Sequence, residues 1–213
     1  IYIFCVSDDA LLPLFKSVRI NNTALILHTS GSVPMNVFQP YREHFGVLYP
    51  LQTFTKKRDL NFGEIPLCIE GSSKEVLESI REIASSLSSR VEEVSSDNRK
   101  YLHLAAVFAN NFTNHLYGMA GKILENEGLD FSLLRPLIFE TAHKVMLMSP
   151  ENAQTGPARR GDESILNMHK NLLRGNRKLQ NIYTLLSDSI RETNVKNEPK
   201  AETEEKPQML TLW

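Results

Sequence analysis

Short apolar runs alternate with amphipathic stretches over the first half of the chain, and the alternation stops near residue 95. Ile1-Tyr2-Ile3-Phe4-Cys5-Val6 predicts a buried strand. Ser7-Asp8-Asp9 then suits the start of a helix, with a hydroxyl for the cap, negative charge at the positive end of the dipole and Pro13 still near the first turn. Residues 23–27, 45–49 and 65–70 predict further strands, the second broken at Pro50 and the third assigned to an edge or a strand start by Pro66. Ser72-Ser73-Lys74-Glu75 is a capping-box pattern opening a helix to about Leu87, and residues 90–94 add a short strand. Strands alternating with helices specify βαβ units and a mainly parallel sheet.

From Asp97 onward the period becomes helical. Residues 98–127 predict one long helix stopped by Gly128 in the left-handed conformation, followed by helices near 131–148 (carrying Pro136), 163–173 and 176–192. The expectation is an α/β domain over residues 1–95 and an all-α domain over 96–193. Beyond Asn194 the sequence is rich in Lys and Glu until the apolar end Met209-Leu210-Thr211-Leu212-Trp213, which predicts a mobile tail over 194–213.

Composition sharpens this picture in three ways. With 213 residues, 41% of them hydrophobic and 23% charged, the chain can bury a real core. Its 24 Lys and Arg against 25 Asp and Glu leave a net charge of -1, which excludes a global field for nucleic acid or anionic membrane, so any anion recognition is local. Cys5 and Cys68 are too few for a disulfide scaffold and lie in apolar runs, which predicts buried thiols and a reducing cytoplasm. No stretch approaches the roughly 20 apolar residues of a membrane span. The chain opens at Ile1 directly in a strand, so a preceding segment is expected.

In an open parallel sheet, ligands sit beyond the carboxyl ends of the strands. Here those positions are Ser7-Asp8, His28-Thr29-Ser30-Gly31 and Pro50-Leu51-Gln52-Thr53, small or polar residues that serve equally as turns or as ligand contacts. The long helix is apolar nearly all round through Tyr101, Leu104, Val107, Phe108 and Phe112, yet at about 100° per residue His103, Asn110 and Asn114 share one side. Such a stripe either stitches a core or a dimer together, or lines a polar site. Thr155-Gly156-Pro157-Ala158-Arg159-Arg160-Gly161-Asp162 offers two guanidinium groups that either grip an anion or pair with surface acids, and an Asp162 placed to cap the helix from Glu163. No metal-binding spacing, GxSxG elbow or phosphate-binding GxxxxGK[ST] loop is present.

Five ordered segments carry a resemblance: His28-Thr29-Ser30-Gly31; Tyr49-Pro50-Leu51-Gln52-Thr53-Phe54; Ile69-Glu70-Gly71; Leu102-His103-Leu104-Ala105-Ala106-Val107-Phe108-Ala109-Asn110-Asn111; and Thr155-Gly156-Pro157 with Arg159-Arg160-Gly161-Asp162. Over residues 1–193 the chain resembles bacterial Rossmann-like proteins with a helical C-terminal domain of unknown function. These are usually described as NADP oxidoreductases and are related to pyrroline-5-carboxylate reductase and the 6-phosphogluconate dehydrogenase superfamily. Two departures stand out: histidine is expected where Tyr49 stands, and the glycine-rich GxGxxG turn that holds a dinucleotide pyrophosphate does not occur. Roughly two βαβ units, about 60 residues, would supply it ahead of Ile1.

The resemblance implies a Rossmann-like α/β fold followed by helices, NADP or NAD as cofactor, and hydride transfer between nicotinamide and a small carbonyl or imine substrate. It assigns Ser7, Asp8, His28, Thr29, Ser30, Gly31, Pro50 and Gln52 to the cofactor. His103 and Asn111 go to catalysis, with His103 the candidate proton donor, and Asn110, Asn114, Thr155, Gly156, Arg159 and Arg160 to the substrate. Relatives in the superfamily often carry a catalytic lysine on the long helix, and the stripe here has none. The alternative is a non-catalytic nucleotide-binding or regulatory protein that keeps the fold. In either case a homodimer built through the long helix is expected, with no nucleic-acid or membrane partner.

Overall fold

The structure, a computed structural model, describes residues 1–197. It divides into two compact units, one spanning Ile1–Gly118 and the other beginning at Met119.

The first unit is built on a five-stranded sheet in sequence order, β1 (Tyr2–Phe4), β2 (Ile26–His28), β3 (Phe45–Pro50), β4 (Leu67–Gly71) and β5 (Val91–Glu93). Strands β1, β2 and β3 are parallel, β4 runs antiparallel to β3, and β5 is parallel to β4. The sheet is thus mainly parallel, as expected, with one antiparallel junction. Between β2 and β3 the chain supplies Val33, Met35, Val37 and Phe38, apolar residues able to cover a sheet face while the chain crosses back. Between β3 and β4 the chain runs through the polar stretch Thr55-Lys56-Lys57-Arg58, returns to the core at Leu60 and Ile65, and re-enters the sheet in the opposite direction.

Because successive strand residues point to opposite faces, the sheet sorts its side chains by parity. Leu27, Leu48, Leu67 and Ile69 pack on one face against Val76, Ile80 and Ala84 of helix α2 (Lys74–Leu87), whose Ser73 hydroxyl accepts the Val76 N–H as the expected cap. On the other face Phe4, Ile26 and Phe45 pack with Phe38 and with Leu11 and Phe15 of α1 (Asp8–Ser17). His28, Val47, Tyr49, Cys68 and Glu70 share the parity of this second face.

Glu70 and Arg99 form the polar centre of that face. Arg99 lies on α3 (Ser96–Ala106), is 1% exposed, and donates through Nη1 to Glu70 Oε2 at 2.6 Å and through Nη2 to the Val33 carbonyl at 2.7 Å. Ser96, at the first turn of α3, donates its N–H and its hydroxyl to the two Glu70 oxygens at 2.9 and 2.6 Å and accepts the Met35 N–H at 2.8 Å. One carboxylate thereby ties the strand, the start of the helix and the loop after β2 together.

Several local expectations are corrected. The N-terminal run is a three-residue strand with Tyr2 and Ile3 exposed, and Cys5 is exposed while Cys68 is buried; β1 is paired with β2 on one edge only, leaving its remaining apolar side chains uncovered. Ser7 occupies the cap position of α1 without a side-chain bond, and Pro13 lies inside that helix. The long helix starts at Ser96 under the Ser95 cap and is not uniform: α3 widens into a π-helical segment over Val107–Phe112 before α4 (Thr113–Asn126). Nor is it buried, since Tyr101, Leu104, Phe108 and Phe112 are exposed. Gly128 does end it with a left-handed φ of 69°.

In the second unit, α5 (Arg135–Leu147) holds Pro136 harmlessly in its first turn, and short helices α6 (Pro150–Ala153) and α7 (Pro157–Arg160) replace the expected loop. They are followed by α8 (Glu163–Leu172) and α9 (Arg177–Asn197), with Ala158, Leu166 and Ser187 buried. Helix α9 thus extends into the predicted tail, whose remainder lies outside the described residues.

Removing one member of a buried ion pair strands the other. Arg99→Ala is expected to cost about 3–5 kcal/mol of stability in urea unfolding; a loss below about 1 kcal/mol would show that the Glu70–Arg99 pair does not hold this face together.

Candidate functional site

The loops after β1, β2 and β3 lie on one edge, because those strands are parallel. They are also linked, since the Thr29 N–H and hydroxyl both donate to the Phe4 carbonyl at 3.3 and 3.4 Å. Beside this edge, between the end of β3 and the α3–π segment, lies a cleft of about 640 Å³. Gln52, Thr53 and Phe54 line one side, and His103, Asn110 and Asn111 the other, over an apolar floor that includes Leu51, Leu102 and Ala106. The volume lies within the range of small-molecule sites.

Tyr49 and His103 meet in the wall of this cleft. The Tyr49 hydroxyl is 3.1 Å from His103 Nδ1, and the rings stand edge to face with centroids 6.0 Å apart. His103 follows Arg99 by four residues, one helical turn, so the ion pair that anchors α3 also sets the direction of this imidazole. Burial, reinforced by the neighbouring Cys68, raises the Tyr49 pKa above its ordinary value, with Arg99 opposing, and the phenol keeps its proton at neutral pH. Gly31 closes the pair from the side. A Cβ there would lie 2.6 Å from His103 Nδ1 and 2.9 Å from Tyr49 Cζ, so only glycine lets the loop after β2 approach this closely.

His28 lies beneath the sheet edge and is not a surface contact. It is fully buried, and its Nδ1 accepts the Ser30 N–H at 3.2 Å. Burial first, and then the positive charge of Arg99, lower its pKa to about 4, so it is neutral with the proton on Nε2. The residue expected to touch a cofactor instead holds the turn that carries Ser30 and Gly31, whose Ser30 hydroxyl in turn accepts the Val33 N–H.

The polar stripe is rearranged by the π segment. One extra residue in the wide turn moves Asn114 out of line and brings Asn111 in, so Asn110 and Asn111 line the cleft and Asn114 does not. Of the cofactor candidates, Gln52 lines the cleft, Gly31 backs its tyrosine and histidine, Pro50 ends β3, and Ser7, Asp8, Thr29 and Ser30 stand on the adjoining edge. Thr155, Gly156, Arg159 and Arg160 belong to the second unit. There Arg159 donates to the Glu151 carbonyl and Arg160 pairs with Asp162 at 2.8 Å. This pairing engages the Asp162 carboxylate, which makes no cap bond to α8. Sequence reasoning passed over Tyr49 as a partner for His103 and Arg99 as a partner for Glu70. The available signals were a phenol at the carboxyl end of a strand and a lone glutamate in an apolar one. Among the described residues no cluster of His, Cys, Asp or Glu suits a metal ion, and no helix is long and apolar enough to cross a membrane.

Strands, helices and cleft define a Rossmann-like α/β unit followed by helices, and comparison with known proteins agrees. The model of a domain of unknown function, DUF2520, matches residues 65–190, and the chain belongs to that family. The crystal structure of a "putative NADP oxidoreductase" from Bacteroides fragilis is 45% identical with a TM-score of 0.86, over 90% of this chain and 76% of that one. A Thermotoga maritima protein (23% identity, TM-score 0.76, 92% and 79% covered) and an imine reductase from Myxococcus stipitatus in complex with NADP+ (16%, 0.53, 91% and 73%) share the fold. No curated protein matches the sequence.

The neutral His28 links stability to pH. Its folded pKa lies below the unfolded 6.5, so the native state resists protonation; its contribution is complete above about pH 6.5 and is lost as pH falls toward 4, roughly 3 kcal/mol in all. Urea midpoints of the wild type and His28→Gln, followed from pH 7 to 4, are expected to converge toward acid pH; parallel curves would contradict this.

Proposed function

We propose that the protein is an NAD(P)-dependent oxidoreductase transferring hydride between nicotinamide and a small imine or carbonyl substrate, with Tyr49 as the proton donor. The observation that carries this reading is the Tyr49–His103 hydrogen bond in the wall of a mostly apolar cleft beside the carboxyl ends of three parallel strands. The 45% identical relative described as an NADP oxidoreductase, and the fold shared with an NADP+-bound imine reductase, support it.

The residues present fit the nicotinamide end of a dinucleotide. Thr29, Ser30 and Gly31 form a turn of small side chains at the sheet edge, held by backbone and hydroxyl bonds, against which a flat ring can lie. Ser7, Asp8, Pro50 and Gln52 extend that edge. When bound, the reduced nicotinamide supplies hydride to the substrate carbon. The protein supplies the proton: with His103 protonated on Nδ1 and donating to the phenol oxygen, the Tyr49 O–H is free to donate into the cleft, and His103 stabilises the oxygen left behind. Asn110 and Asn111 orient the substrate nitrogen or oxygen, while the apolar floor keeps water away. Two free thiols suit a cytoplasmic setting.

Tyr49→Phe is expected to lower kcat/KM for reduction of a panel of cyclic imines and keto acids by about 10²–10⁴-fold with NADPH affinity retained. Reduced-cofactor absorbance measures the first and calorimetry the second. Wild-type protein that binds NADPH but reduces no member of the panel would favour the non-catalytic reading, and unchanged Tyr49→Phe activity would remove the phenol from the mechanism.

The exposed stripe Tyr101, Leu104, Phe108 and Phe112 supports the homodimer as part of the same reading, since a contiguous apolar surface of this kind is usually covered. Light scattering is expected to give a dimer at micromolar concentration that Phe108→Asp converts to monomer; a monomeric wild type would contradict it.

A further inference from the structure

Between β3 and β4 the chain places three cations in succession, Lys56, Lys57 and Arg58, for which the described residues provide no ion pair. The arrangement differs from that of the other exposed arginines around it: Arg81 and Arg90 each face a glutamate. Arg58 is also directed by the backbone. Its N–H donates to the Thr55 carbonyl at 3.1 Å, closing a tight turn whose two ends, Thr55 and Arg58, line one concavity. That concavity, about 200 Å³, is lined by Gln52, Thr53, Thr55, Arg58 and Leu60.

Gln52 and Thr53 line this small cleft and also the larger one that holds Tyr49 and His103. Gln52 bridges the two in a defined conformation, its side-chain oxygen accepting the Thr53 N–H at 2.8 Å, which leaves its amide N–H₂ as a donor. One wall therefore separates the reaction cleft from a compartment whose lining includes residues able to donate to an anion, the guanidinium of Arg58, the hydroxyls of Thr53 and Thr55 and the Gln52 amide, beside the apolar Leu60. With a net charge of -1 for the whole chain, such attraction has to be local; Arg58 lines the concavity, and Lys56 and Lys57 precede it in the turn, ahead of Asp59.

We propose that the turn Thr55–Arg58 is an anion subsite that holds a carboxylate or phosphate group of the substrate while its reacting carbon lies beside Tyr49. This rests on the oxidoreductase reading and narrows the substrate to an anionic imine or carbonyl compound with an apolar body. A phosphate of the dinucleotide has the same chemistry. The substrate is favoured because the subsite shares Gln52 and Thr53 with the Tyr49–His103 cleft, whereas of the cofactor-edge residues Gln52 alone reaches either compartment, and Ser7, Asp8, Thr29, Ser30 and Pro50 line neither.

The test has three arms on the intact protein, with circular dichroism as the folding control. Titration with inorganic phosphate at fixed ionic strength, followed by amide chemical shifts, is expected to saturate in the wild type. Arg58→Ala should weaken it at least tenfold and Arg58→Lys by an intermediate factor, because an ammonium cannot reproduce the fork. Absence of saturation, or equal affinity in wild type and Arg58→Ala, overturns the subsite whatever the protein catalyses. In calorimetry NADP+ affinity is expected to change less than twofold in Arg58→Ala; a tenfold loss would assign the subsite to the cofactor and overturn the substrate assignment. Finally, the kcat/KM ratio for a cyclic imine bearing a ring carboxylate over its uncharged parent is expected to fall tenfold or more in Arg58→Ala, and an unchanged ratio overturns the substrate class. A wild type that reduces neither compound sinks the reductase reading and the substrate class with it, while the phosphate arm still decides whether the anion subsite exists.

Discussion

A guanidinium removed from water has to be matched on the spot, and the demand made by Arg99 organises the face of the sheet on which the site is built. Glu70 supplies the charge, the Val33 carbonyl takes a further N–H, and the Ser96 hydroxyl accepts from the same guanidinium while donating to Glu70. Each of these comes from a different segment, so satisfying one side chain positions a strand, a helix and a loop. Helical periodicity then carries the constraint one turn further to His103, and the phenol of Tyr49 meets an imidazole whose bearing was decided at the helix start. The loop after β2 is under the same control, which is why Gly31 can press against the two rings.

The parts of this arrangement readable in the sequence are those that depend on alternation. Leu27, Leu48 and Ile69 announce a buried sheet face by their spacing, and Ser73 announces a helix by its neighbours. The direction of β4 was not legible, because alternation marks a strand and its faces and says nothing of the sense in which the chain re-enters the sheet. Arg99 was hidden for a related reason: Ser96-Asp97-Asn98-Arg99-Lys100 reads as a solvated helix start, and only the partner 29 residues earlier makes the arginine a core residue.

The candidate site was legible in outline and misread in detail. The segments at the carboxyl ends of β1–β3 and the helix bearing His103 do border one region, yet His28 turned out to be buried support. The stripe drawn at regular helical spacing put Asn114 beside His103 where the cleft has Asn111, a residue that the resemblance had named and the spacing had not. No propensity marks where a helix will widen. The apolar helix was likewise taken as buried because a sequence reports what a surface is made of and not what covers it.

The widened turn over Val107–Phe112 has a bearing on how this site can change by descent. An α-helix accommodates one additional residue by letting a turn swell, and everything beyond the swelling is rotated by about 100° relative to an uninterrupted helix. Deleting a single codon in this stretch would therefore restore regular hydrogen bonding and leave the helix beyond it, Thr113–Asn126, facing as it does now, because the swelling already absorbs the extra residue. Only side chains within the swelling, Asn110 and Asn111 among them, would be re-aimed. The amides offered to the cleft can thus be changed by length alone while the rest of the helix keeps its place.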